Sequence, residues 1–153
     1  MAKFLSETYN ESFIRAPGSG AYTGGSNSHR RTVLHENQVR SFKGDIIPGE
    51  SFPLLNVECK FYGDFGFHQL FTGSAVLASW LTQLMDAADP GDLNILFMKF
   101  NRKGRYVAVQ ANQPWERACS YTMYKDVNHG DWMIYSFEEF FKLNTTLLKS
   151  LSK

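Results

Sequence analysis

The chain has 153 residues, with 16 Lys and Arg against 15 Asp and Glu and a formal net charge of +1 at pH 7. That length supports one domain with an ordinary core, so residues 1–153 are expected to fold as a unit. The near-zero charge excludes a uniformly basic nucleic-acid coat, and the absence of an 18-residue apolar run excludes a membrane-spanning helix.

In chain order, residues 2–10 place apolar side chains at Phe4, Leu5 and Tyr9, the pattern of a short helix. Phe13 and Ile14 then lead into Arg15-Ala-Pro17-Gly18-Ser19-Gly20. From about 16 to 42 the composition is that of a Gly/Ser-rich loop whose second half is basic. Arg30, Arg31, Arg40 and Lys43, with His29 and His35, stand against the single acid Glu36. Such a patch can contact phosphate within a Debye length of ~8–10 Å, or it can be a solvated loop.

Two strands are expected at 43–47 and 54–61, with Pro48-Gly49 as the turn between them. Paired as a hairpin, they bring Asp45, Glu58 and Lys60 to one sheet edge. Strand side chains alternate, so Glu58 and Lys60 share a face while Cys59 points into the opposite layer, its carbonyl free for a cation. Two carboxylates and a carbonyl suit a hard divalent ion, and an ammonium beside them can orient water or offset phosphate charge. A surface Asp and a solvated Glu-Lys pair would read the same way in isolation.

The segment from Phe61 to Gln69 leaves that edge with Gly63 and Gly66, which permit close backbone approach to phosphate, and carries Tyr62 as a candidate DNA contact. Gln69 and His68 stand at the entry to a helix. The helix is expected over Gly73 to Ala88, because Val76, Leu77, Trp80, Leu81, Leu84 and Met85 recur at three and four; Asp89-Pro90-Gly91 ends it. Residues 94–100 read as a buried strand, 101–104 as a turn, and 105–110 as the returning strand. Beyond Gln110, Trp115, Tyr121, Tyr124, Trp132 and Tyr135 are read as core and dimer-interface residues, with base stacking as the other use. A helix over 136–148 opens with a Ser cap.

Taken together, Arg15-x-Pro17-Gly18-Ser19-Gly20, Gly44-Asp45-Ile46 and Val57-Glu58-Cys59-Lys60 resemble, over residues 1 to 110, the archaeal-type Holliday junction resolvases of the PD-(D/E)XK nuclease superfamily. The resemblance implies an α/β fold with the αβββαβ restriction-endonuclease-like core, a mixed sheet flanked by helices. It implies a Mg²⁺-dependent endonuclease, with Mn²⁺ able to substitute, acting as a homodimer on branched DNA such as a four-way junction. Carried over, Asp45, Glu58 and the Cys59 carbonyl would hold the metal, Lys60 would serve the attacking water or the phosphate, and Arg15, assisted by Ser19, would contact the scissile phosphate. Gln69 matches a glutamine that helps hold phosphate or water in several nucleases of the superfamily. The family's usual upstream glutamate has only Glu7 and Glu11 as counterparts here, and the stretch between Arg15 and Asp45 is longer than in compact members. A superfamily nuclease for forks, flaps or ends, phage-encoded members included, shares all these motifs, and so does a non-catalytic DNA-binding module.

Other chemistries fit poorly. The four His lack zinc spacing, no acidic pattern forms a calcium loop, and Gly18-x-Gly20 is followed by no Gly-Lys-Ser/Thr. Cys59 and Cys119 form no finger or disulfide framework, so the expected setting is the reducing cytoplasm, that of the host for a phage protein.

Overall fold

The structure is a computed structural model and describes residues 1–17 and 44–153. Ser19, Arg30, Arg31, Arg40 and Lys43 lie outside the described residues, as does most of the expected Gly/Ser-rich loop.

Helix α1 (Ala2–Tyr9) buries Leu5 and ends where Asn10 turns left-handed. Strand β1 (Ile14–Arg15) pairs antiparallel with β2 (Ile46–Ile47). This corrects the expected hairpin of 43–47 with 54–61: the partner of β2 is the segment before the long loop. The five-stranded sheet comprises β3 (Leu55–Tyr62), β4 (Leu93–Phe100), β5 (Gly104–Gln110), β6 (Tyr121–Asp126) and β7 (Gly130–Ser136) in the order β3-β4-β5-β7-β6. Only β3 and β4 run parallel, joined by α2 (Gln69–Thr72) and α3 (Ala75–Asp86); the other neighbours are antiparallel. The result is a mixed α/β sheet flanked by helices, consistent with the expected PD-(D/E)XK-like fold.

Each face of the sheet carries its own core. On one side Val57, Ile95, Phe97, Val107, Val109 and Met133 pack under α1 and α4 (Phe137–Leu151). Helix α4 presents Phe137, Phe140, Phe141, Asn144 and Leu148 inward, spaced at three and four, and Ser136 caps it by accepting the Glu139 N–H at 3.4 Å. On the other side Leu96, Met98, Phe100, Ala108 and Trp132 meet Leu77, Trp80, Leu81 and Leu84 of α3, which Ser74 caps through the Leu77 N–H. The sequence pattern foresaw this helix at slightly greater length, since Gly73 and Ser74 precede its first turn. Strands β6 and β7, which bring Trp132 and Tyr135 into the core, were not foreseen.

A candidate active site at the sheet edge

Strand β3 is an edge strand, and every candidate side chain that the structure unites sits on or against that edge. Gly44 and Asp45 approach it from outside. Gly44 adopts φ +64°, and a Cβ there would collide with the Val57 carbonyl, so the position admits only glycine without strain. This close approach lets the Asp45 N–H donate to the Val57 carbonyl at 2.7 Å. The Asp45 Oδ2 in turn accepts the Cys59 N–H at 2.7 Å. A residue's N–H and C=O leave a strand on the same side, so the Cys59 carbonyl also points off this edge.

Glu58 and Lys60 share the face toward α3, as alternation requires. The Lys60 ammonium donates to Glu58 Oε1 at 2.6 Å and to Gln83 Oε1 of α3 at 2.6 Å. Glu58 is only 2% exposed. Burial pushes its carboxyl above the ordinary glutamate value; the Lys60 hydrogen bond opposes the rise and the charge of Asp45 adds to it. Two carboxylates are thus held within electrostatic reach of one another, with the Lys60 ammonium bonded to Glu58. Asp45 Oδ1 and Glu58 Oε2 accept no hydrogen bond from the described residues. The donor set of two carboxylate oxygens and one carbonyl fits a hard divalent cation that keeps water and substrate oxygens for its other positions. Among the described residues no three His, Cys, Asp or Glu side chains converge, so of these residues the Cys59 carbonyl is the candidate third ligand beside Asp45 and Glu58.

Arg15, on β1, stands exposed beside Asp45, and both line a trough of about 560 Å³ on the α1 side of the edge. The other predicted residues stand elsewhere. Tyr62 sits edge-on to Trp80 at 5.5 Å, on the face away from the trough. Gln69 opens α2 rather than the long crossover helix, and no hydrogen bond links its side chain to Asp45, Glu58 or Lys60. The glutamine that does meet the site is Gln83, for which the sequence offered no signal beyond a polar residue in an apolar helix. Neither upstream acid enters the site. Glu7 pairs with Lys3 across one helical turn, and Glu11 accepts from the Ser51 N–H and from Lys149.

A protein-family model described as "Phage putative PDDEXK endonuclease" matches residues 1–150. Searches of curated proteins and of solved structures gave no match. The α/β sheet with an acid-lined edge is the architecture of a PD-(D/E)XK nuclease. The chain belongs to the phage PDDEXK endonuclease family, whose match spans nearly its whole length.

Proposed function

We propose that the chain is a metal-dependent endonuclease that hydrolyses DNA phosphodiester bonds at branched DNA, with its site at Asp45, Glu58, Cys59 and Lys60. The observation that carries this reading is the convergence of Asp45 on the Glu58-Cys59-Lys60 edge, with Lys60 fixed by Glu58 and Gln83. Asp45, Glu58 and the Cys59 carbonyl would hold Mg²⁺ or Mn²⁺, which when bound supplies a Lewis acid and a more acidic water. Lys60 holds the attacking water or meets the charge that develops on the phosphate. Arg15, at the rim, clamps the phosphate from the trough side. The order of the sequence motifs favours a four-way junction as the branched substrate. Such a junction has two equivalent strands to cut, which calls for a homodimer with one site on each. Forks and flaps are favoured by a separate observation, an exposed aromatic ring in the trough.

The test is cleavage of a labelled four-way junction, a flap and a linear duplex, in Mg²⁺ or in EDTA. Asp45→Asn and Glu58→Ala should each lower the metal-dependent rate by about 10³ or more, equivalent to several kcal/mol of transition-state stabilisation, while leaving DNA binding largely intact. Cleavage by either variant at near the native rate would overturn the assignment. Binding without any cutting by the native chain would instead point to a non-catalytic DNA-binding module.

A further inference from the structure

The trough beside Asp45 carries a row of side chains that the hydrolytic chemistry does not use. Phe61 of β3 is in register with Lys99 of β4, and Lys99 with Arg105 of β5. Strands in register place such residues on one face at steps of about 4.8 Å, so the three form a band across the sheet, one alternation beyond Cys59. Phe61 is 68% exposed although it lines the trough, an unusual position for a large apolar ring. The Lys99 ammonium lies 5.5 Å from the centre of that ring and has no ion-pair partner among the described residues. Arg105 stacks on Phe137 at 4.3 Å and pairs with Glu138, which fixes its guanidinium at the far end of the band. Among the described residues that line the trough, Lys3, Arg15 and Lys99 stand as cations against the acid Asp45, with Arg105 held by Glu138 and the Lys60 side chain turned to the opposite face. In a chain of net charge +1 that is a marked local excess.

A polyanion with a flat apolar group between its charges is the ligand this band complements. We propose that the trough receives one unpaired nucleotide next to the scissile phosphate, its base stacked on Phe61 and its outer phosphate held by Lys99 and Arg105. Within a continuous duplex both faces of a base are covered by its neighbours, so only an unstacked base has a face to give to Phe61. The substrate class is therefore a branch with a single-stranded arm, a flap or a splayed fork, in preference to a fully paired four-way junction. This inference rests on the nuclease reading of Asp45 and Glu58 for the position of the cut, but the stacking it invokes needs no metal.

Binding is measured in EDTA by fluorescence anisotropy with a dye-labelled single strand and the matching duplex. A second strand carries 2-aminopurine, whose emission is quenched when it stacks. The native chain should prefer the single strand and quench 2-aminopurine. Phe61→Ala should weaken single-strand binding about ten-fold or more and abolish the quenching, while duplex binding stays unchanged; Phe61→Tyr should restore both. Lys99→Gln should lower the salt slope of single-strand binding by about 0.7, the value for one lost phosphate contact. Equal affinity for both DNAs, or quenching that survives Phe61→Ala, would overturn the proposal, as would preferential cutting of the paired junction in Mg²⁺. A native chain that quenches in EDTA yet cuts no DNA with Mg²⁺ would uphold it and overturn the nuclease reading.

Discussion

Lys60 makes both of its hydrogen bonds inside the site, and they differ in kind. The bond to Glu58 joins two neighbours on one strand face, whereas the bond to Gln83 depends on how α3 docks. Losing a hydrogen bond to a charged group costs about 1.5–3 kcal/mol, so Gln83→Leu should lower the cleavage rate constant about 10- to 100-fold. Because Gln83 touches no DNA in this scheme, KM should change little while the melting temperature falls with the lost hydrogen bond, a split that steady-state kinetics and calorimetry would show. Cys59 behaves differently. Burial, then the charge of Asp45, pushes its thiol up to about 12, so the folded chain keeps a proton that the unfolded chain releases earlier. Stability linked to Cys59 is thus fully present at neutral pH and is lost as pH climbs from the ordinary thiol value toward about 12. Alkylation at pH 8 followed by peptide mapping should find Cys59 slow in the native protein and fast after denaturation. At this scale the alternation of Glu58, Cys59 and Lys60 was legible in the sequence, because a strand's period is fixed by its own backbone. Gln83 was not, since its role is set by a tertiary contact with a residue 23 positions away.

Among the elements, those whose pattern is local were the legible ones. Helix α3 and strands β3, β4 and β5 lie close to their expected positions, and Gly104, at φ +101°, closes the β4–β5 turn where the sequence placed it. The β6–β7 hairpin escaped because β7 is covered on both faces: Trp132 packs toward α3 while Met133 and Tyr135 pack toward α4. A strand buried on both sides shows no polar alternation, and its aromatics then read as an irregular cluster. The pairing of β2 with β1 was hidden for another reason. It joins residues across the long loop, and nothing in either two-residue strand names its partner. Gly44 carries that short strand onto β3. Gly44→Ala should destabilise the fold by about 1–3 kcal/mol, from left-handed strain and the clash with the Val57 carbonyl, and it should lower cleavage by displacing Asp45. Chemical denaturation and a cleavage assay on the same preparation would check both; a variant that is stable yet fully active would refute the placement of Asp45.

On the scale of the molecule, β3 ends the five-stranded sheet among the described residues, and the ends of the described chain are braced together. Glu11, just beyond α1, accepts from the Ser51 N–H at 3.1 Å and from Lys149 of α4 at 3.0 Å, so it ties three segments together. The Ser51 hydrogen bond and then Lys149 hold its carboxyl below the ordinary glutamate value. A depressed acid stabilises the fold above its unfolded value, and that contribution is lost as pH falls through the folded one. Glu11→Gln should therefore lower the melting temperature at pH 7, with the gap to the native chain closing as the buffer is taken below pH 4. Thermal melts across pH would show it, and a gap that widens in acid would contradict the sign. The flanking of a mixed sheet by helices was legible from the order of elements; the brace was not, because its partners are far apart in sequence.

The place of β3 at the edge of the sheet, among the described residues, has a consequence beyond the proposed catalysis. Unpaired edge strands are templates on which other chains can add, and proteins usually shield them. Here the Asp45 main chain and side chain occupy the Val57 carbonyl and the Cys59 N–H, two of the groups an incoming strand would need. The acid proposed for the site thus also blocks the groups through which another strand could add. An inactive form made by Asp45→Ala would bare the Cys59 amide and should aggregate more readily than Asp45→Asn, which keeps an oxygen there. For crystals of a trapped DNA complex, asparagine is the substitution to make.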